Sequence, residues 1–474
     1  MEERRNPSLG KYVLLLAGLT FLGIISYWLY QNFSRKPPAP ALESKNRLVI
    51  PALLQDSDPA PDKAAFQITA GQGTTAFLPG KATATLGYNG SYLGPVIRLK
   101  RGEEVTIHVE NELREATTVH WHGLIVDGED DGGPHHGIQP GATWSPVFTV
   151  DQPAATLWFH PHLMGNTSDQ VYQGLAGLIY IEDEVSDSLQ LPKEYGVDDI
   201  PLIMQDRNFK PNGTLDYQVD MMGVVPGDTM LVNGVIEPFY EVTAQRLRMR
   251  LLNASNSQNF SFTLSDGSPF QIIASDGGLL EEAYSMEKLR LAPGERAEIV
   301  ADFSLRAGQT IYLMAGSRNV LEFRVAKNPT VNSTVPDKLA AMEAPDPASA
   351  VKERQFVLQS MGISGTINGK AFDMERIDEE VSLMEPEIWV ITTAQGMMMS
   401  GGHPFHVHGV SFRILSRNGK PPAIQERGWK DTVFVDTGEE VRILLNFTKP
   451  GIFMYHCHIL EHEDNGMMGQ IQVQ

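Results

Sequence analysis

The stretch EEVTIHVENEL alternates Val105, Ile107 and Val109 with Thr106, His108 and Glu110. Successive side chains on a strand point to opposite sides, so this period of two marks a strand with one buried face. Similar runs recur as ERAEIVADF (295–303) and EEVRILLNF (439–447), each led by a glycine: Gly102, Gly294 and Gly438. Three copies of one strand signal predict three related β-sandwich domains. The stretch KNPTVNSTVPDKLAAMEAPDPASAVKE reads as a linker between the second and the third.

One segment breaks the pattern. YVLLLAGLTFLGIISYWLY (Tyr12 to Tyr30) carries no charge. As a helix it would reach roughly 28 Å at ~1.5 Å per residue, close to the thickness of a hydrocarbon core. Arg4, Arg5 and Lys11 precede it, and Arg35 and Lys36 follow. Residues 1–36 therefore read as a signal anchor or a signal peptide, with the anchor preferred. The apolar run exceeds the usual signal-peptide core, and Ala39-Pro40-Ala41 makes a poor cleavage site. A Pro-rich linker, 37–63, follows. Attachment to a membrane through residues 12–30 and an extracytoplasmic catalytic part are the expectation.

Composition narrows the class. Apolar residues at 42% allow large cores, and Gly 43 with Pro 30 suits a turn-rich, strand-rich chain. A formal net charge of −20 argues against nucleic acid or an anionic membrane surface as partner. A single cysteine, Cys457, excludes an internal disulfide framework.

The first and last thirds also repeat. VHWHGL (119–124) parallels FHVHGV (405–410), WFHPHL (158–163) parallels MYHCHI (454–459), and GLAGLIYI (174–181) parallels GMMGQIQV (466–473). Four His-x-His pairs result: His120/His122, His160/His162, His406/His408 and His456/His458. Residues i and i+2 of a strand share a face, so each pair can aim two imidazoles one way. With His403 and His462, ten of the thirteen histidines fall in this pattern. The middle third has none. Imidazole suits copper, zinc, iron and nickel alike.

Cys457 lies between two of these histidines on one strand, so its side chain points away from both. One strand can thus serve two metal sites joined by covalent bonds. His403, Cys457, His462 and Met467 offer two imidazoles, a thiolate and a thioether, the donor set of a blue-copper electron-transfer centre. Zinc competes, since two His and one Cys suit it. A thioether is a poor zinc ligand, and zinc would leave eight histidines unexplained, so copper is preferred.

The motifs HWHG, HPH, HPFHVHG and HCHILEHEDNGM resemble those of the multicopper oxidases over most of residues 65–474. The resemblance implies an all-β fold of three cupredoxin-like Greek-key β-sandwich domains behind an N-terminal hydrophobic helix. The expected domains are 64–190 (trinuclear-site histidines), 191–328 (no copper) and 353–474 (type 1 copper and trinuclear-site histidines), with 329–352 as linker. It implies four copper ions per chain: type 1 on His403, Cys457, His462 and axial Met467; type 2 on His120 and His406. One type 3 ion would fall to His122, His160 and His458, the other to His162, His408 and His456. In the first domain Pro161 stands where Cys457 does and Leu175 where Met467 does, so no type 1 centre is expected there. The reaction implied is one-electron oxidation of a substrate at type 1 copper, coupled through Cys457 to reduction of dioxygen to water. Asp131 and Glu463 match acids used in proton supply. The likeness also favours a monomer.

Among relatives, LPKEYGVDDIPLIMQDRNF, ASDGGLLEE, LAPGERAEI and NGKPPAIQERGWKDTV look like the bacterial cuprous oxidases. The electron donor is then Cu(I) or another low-valent metal in copper tolerance, or alternatively a small organic reductant in a laccase-like phenol oxidase. A remote alternative is a non-catalytic cupredoxin scaffold like the related cell-division protein, which lacks the copper ligands. The long Met- and His-rich insertion of the well-studied cuprous oxidases is missing, which predicts a more open type 1 site. Met397, Met398 and Met399 are a possible entry point for substrate metal. His108, His135, His136, Met221 and Met222 read as surface, loop or packing residues.

Overall fold

The computed structural model describes residues 45–393 and 401–474. The segment 12–30 and Met397, Met398 and Met399 lie outside them. Among the described residues no helix is long and apolar enough to cross a membrane.

Among the described residues, strands form six sheets that fall in three sequential pairs. Each pair closes on its own apolar core, one around Phe66, Ile107 and Trp121, one around Leu251, Phe262 and Ile299, one around Phe356, Trp389 and Phe453. The same pairing rule runs through all three. An opening strand lies parallel to an inner strand of its sheet: Lys63–Thr75 on Glu104–Asn111, Asp199–Arg207 on Arg246–Asn253, and Lys352–Met361 on Glu387–Thr393.

That rule shifts the correspondence expected from the glycine-led runs. Glu104–Asn111 matches Arg246–Asn253 and Glu387–Thr393 by its pairing. The other two glycine-led strands, Arg296–Asp302 and Glu440–Leu445, are the antiparallel neighbours one place further on. A glycine turn followed by an amphipathic strand suits either position, so the local pattern counts the domains without aligning them. Glu104–Asn111 does show the expected alternation, with Val105, Ile107 and Val109 buried. Arg296–Asp302 is instead buried on both faces up to Ala301, because it sits inside a seven-stranded sheet and packs toward the first third through Glu298.

An apolar seam of Leu93, Val96, Trp158 and Tyr180 with Ile203, Leu252 and Ala254 joins the first third to the second. Beside it Thr156 Oγ1 donates to Glu298, and Arg250 bridges Asp199 and Glu298. The segment before the first long strand is docked too: Leu48 is buried and its N–H donates to the carbonyl of Phe239. First and last thirds meet where Asp464 accepts the N–H groups of Thr167 and Ser168, at the start of the helix Thr167–Gln173.

Candidate metal centres

Two strand pairs aim the histidines. His120 lies opposite His160, and His406 opposite His456, in antiparallel register. All eight paired histidines are buried, and they collect in one cluster between the first and last thirds. Their hydrogen bonds decide which ring nitrogen is free. His120 Nδ1 donates to the carbonyl of Asp131 at 3.0 Å, His406 Nδ1 to that of Asp431 at 2.8 Å, and His160 Nδ1 to that of Pro161 at 2.8 Å. His456 Nδ1 donates to the carbonyl of Cys457 at 3.1 Å, and His408 Nδ1 to Asp131 Oδ2 at 2.7 Å. A carbonyl only accepts, so Nδ1 carries the proton. His122 is reversed: Nε2 donates to Asp431 Oδ1 at 3.1 Å and Nδ1 faces inward.

Burial first, and neighbouring imidazoles second, hold His122, His160, His406 and His408 well below the usual imidazole range; burial lowers His162 to about 4. The rings are therefore neutral, with one N–H each, and their inward nitrogens are bare lone pairs. His408 Nε2 and His456 Nε2 face each other at 3.1 Å, and His122 Nδ1 and His160 Nε2 at 3.4 Å. The inward Nε2 atoms of His120 and His406 have no hydrogen-bond partner. Lone pairs at these separations repel unless cations lie among them. The donor set therefore fits bound metal, and neutral imidazole is the ligating form.

A second group lies on the other side of the strand Gly451–Cys457. Cys457 Sγ is 3.4 Å from His403 Nδ1 and 3.9 Å from His462 Nδ1. Their outer nitrogens are tied off, His403 Nε2 by Ser360 Oγ at 3.3 Å and His462 Nε2 by the carbonyl of Met222 at 3.2 Å. Burial pushes the Cys457 thiol up, so a thiolate here needs a cation beside it. Met467 is fully buried in the same core; its carbonyl accepts from Cys457 N–H and its own N–H donates to the carbonyl of His462. Met468 instead sits opposite His456 in the neighbouring strand. His462 is 3% exposed and His403 1%. The open site expected from the missing insertion is thus not seen among the described residues: the middle third covers the edge of His462 through the Met222 backbone.

The chain matches the multicopper oxidase family in three consecutive blocks, residues 69–186, 212–335 and 335–474. The chain belongs to the multicopper oxidases. It is similar to the multicopper oxidase mco of Staphylococcus haemolyticus, at 39% identity over 91% of this chain and 93% of that one. It is also similar to the cell division protein FtsP of Edwardsiella tarda, at 38% identity over 84% of this chain and 87% of that one. Among solved structures, a laccase from Pediococcus acidilactici superposes with a TM-score of 0.88 at 40% identity, covering 93% of this chain and 96% of that one. The protein is thus an all-β oxidoreductase with cupredoxin-like domains, and copper is the metal its family implies.

In this multicopper oxidase the two acids singled out in the sequence both reach the cluster. Asp131 touches His408 and, through its carbonyl, His120. Asp130 turns away and accepts from the N–H of Val147. Glu463 Oε2 lies 3.1 Å from His456 Nδ1 and Oε1 lies 3.6 Å from His162 Nε2, both without hydrogen-bond geometry. Burial pushes its carboxyl up. His108 is exposed beside Ser145, and His135 bonds Gln470, so neither joins the cluster.

Several residues that hold the histidines carried no signal of their own. Asp431 and Thr432 fix His122 and His406, Ser360 fixes His403, and Thr118 Oγ1 accepts the N–H of His162. Asp431 stands in GWKDTV, inside a stretch that carried the resemblance, and nothing local distinguishes it from any loop acid. Met221, read as a surface, loop or packing residue, is 82% exposed in a loop.

Proposed function

We propose that this oxidase takes electrons from Cu(I) or another low-valent metal ion, outside the cytoplasm, and uses them to reduce dioxygen to water. The observation that carries the reading is the collar around His462. Met222 closes the ring edge with its carbonyl, while Met221, next to it in the chain, and Met361, next to the turn at Gly362, stand 82% and 74% exposed. The loop carrying Met221 sits on the hairpin turn at Gly362, where an added Cβ would come 3.3 Å from the Met221 carbonyl. Exposed thioethers are soft donors that suit Cu(I). A bulky phenol finds no bare imidazole edge there.

Bound copper would supply one-electron transfer and dioxygen reduction. His403, Cys457, His462 and Met467 would hold the type 1 ion, and His120 with His406 the type 2 ion. His122, His160 and His458, and His162, His408 and His456, would hold the type 3 pair, giving four ions per chain. Cys457 is flanked by His456 and His458, so only bonds of one strand separate the two centres. Asp131 and Glu463, in contact with cluster histidines, are the carboxylates placed to hold protons for oxygen reduction. The domains proposed are 64–190, 191–328 and 353–474, acting as a monomer tethered through residues 12–30.

Oxygen uptake by the copper-loaded protein, with Cu(I) and a dimethoxyphenol as rival donors, tests the reading. Faster turnover with Cu(I), weakened in Met221→Ser and Met361→Ser together, is expected. Faster turnover with the phenol, indifferent to both substitutions, would replace it with the laccase-like reading, which the Pediococcus acidilactici likeness supports. The scaffold reading suggested by the FtsP likeness is disfavoured by the presence in the sequence of every residue proposed above as a copper ligand.

A further inference from the structure

The middle third supplies no histidine, yet one of its side chains reaches the cluster. Arg296 is fully buried and spends all five of its N–H donors. Nε donates to the carbonyl of Thr156 in the first third, Nη1 to the carbonyl of Gly294, and Nη2 to that of Asp276. The remaining two form a fork on Asp431 of the last third, Nη1 to Oδ1 at 2.7 Å and Nη2 to Oδ2 at 2.5 Å. Asp431 Oδ1 then accepts from His122 Nε2, and from Thr432 Oγ1 at 2.9 Å. All three thirds of the chain therefore meet on one carboxylate.

Asp431 could itself be counted as a metal ligand, since it lies within reach of His122 and His406. Its oxygens argue otherwise: both are occupied by Arg296, and Oδ1 also by His122 and Thr432. The carboxylate acts outward of the imidazole. It is also why His122 alone among the hydrogen-bonded cluster histidines presents Nδ1 inward. The chain keeps the space for this pair: a Cβ on Gly123, the residue after His122, would lie 2.6 Å from Asp431 Oδ2 and 2.7 Å from Arg296 Nη2.

We propose that Arg296 is a positioning residue of the trinuclear cluster, holding Asp431 so that His122 turns Nδ1 to the metal. The second domain thereby sets the geometry of a centre to which it gives no ligand. A bidentate guanidinium fixes both the position and the plane of the carboxylate, which a lysine ammonium cannot do. The inference rests on the histidine cluster being a copper site.

The test compares Arg296→Lys with Arg250→Lys in the full, copper-loaded chain. Arg250 is also buried and forks onto Asp199, and it touches Thr156 and Glu298 but no histidine. Bound copper and the blue type 1 absorbance are followed during dialysis against increasing chelator, and melting of the copper-free proteins is recorded alongside. Both variants are expected to lose stability and to keep the blue colour. Arg296→Lys alone should release cluster copper at a roughly 10–100-fold lower chelator concentration, the usual effect of disturbing a ligand's outer partner. Asp431→Asn should do the same, and adding it to Arg296→Lys should cause little further loss, because the two act as one unit. Should Arg296→Lys not fold, Asp431→Asn is read against Arg250→Lys by the same criteria. Equal copper retention in the Arg296 (or Asp431) and Arg250 variants would overturn the proposal. A wild-type chain that takes up copper only at Cys457 would instead overturn the cluster reading beneath it.

Discussion

Cys457 Sγ stands 3.4 Å from His403 Nδ1, and His456 and His458 on either side of it turn into the histidine cluster. The thiol is thus the shared hinge of the two candidate centres. Cys457→Ser is expected to remove the blue absorbance and all steady-state oxidation. The fold should survive, since the swap only places a hydroxyl in a buried site, at about 1–3 kcal/mol. Absorbance and oxygen uptake of the copper-loaded variant decide it; retained oxidase activity would refute the coupling.

Met467 is the axial candidate, and its surroundings leave little slack. A Cβ added at Gly365 would come 2.8 Å from its Sδ. Met467→Leu should keep the fold within about 1.5 kcal/mol, as volume-conserving core swaps do. Losing the thioether should raise the type 1 potential, read by a redox titration of the blue band. An unchanged potential would leave Met467 a packing residue.

Gly123 has φ +91 and faces the Arg296–Asp431 pair. Gly123→Ala therefore meets both an unfavourable backbone conformation and a clash. The expected cost is about 1–3 kcal/mol from the backbone alone. Denaturant melts of the copper-free protein measure it; an Ala variant as stable as the parent would refute both the backbone cost and the clash.

Acid should loosen the seam between the first two thirds. Burial alone would push the Glu298 carboxyl up, but Arg248 and Arg250 outweigh it and hold it down at about 2, against 4.5 for a free glutamate. The folded value lies below the unfolded one. Its stabilisation is therefore complete above pH 4.5 and is lost as pH falls from there toward 2. Glu298→Gln should cost about 3–5 kcal/mol at neutral pH, because it takes the close carboxylate from buried Arg248, whereas Arg250 keeps Asp199. Its stability should also fall less steeply than the parent's across that acid window. Denaturation midpoints over a pH series check both; parallel curves would assign the acid loss to other carboxylates.

The histidines were legible because strand geometry is local. His120 and His122 share a face whatever the rest of the chain does, and the repeat in His406 and His408 doubles the signal. Cys457 was legible for the opposite reason, since odd spacing sends it to the other face. Asp431 and Arg296 were not legible. They are 135 residues apart and meet only through domain packing, which leaves no period in the sequence. The same holds for the Met222 carbonyl, a backbone group that any residue would supply. The double burial of Arg296–Asp302 was likewise hidden, because it arises from a neighbouring domain.

His162 and His456 approach to 3.1 Å across 294 residues of chain. A metal held between them is a clasp on a loop containing the whole middle domain. Because unfolded chain cannot offer this site, metal binding adds to the free energy of folding. The three cores are then expected to open together in the loaded protein and at separate temperatures once it is stripped. Calorimetry would resolve one transition into several, making metal occupancy the source of the molecule's cooperativity.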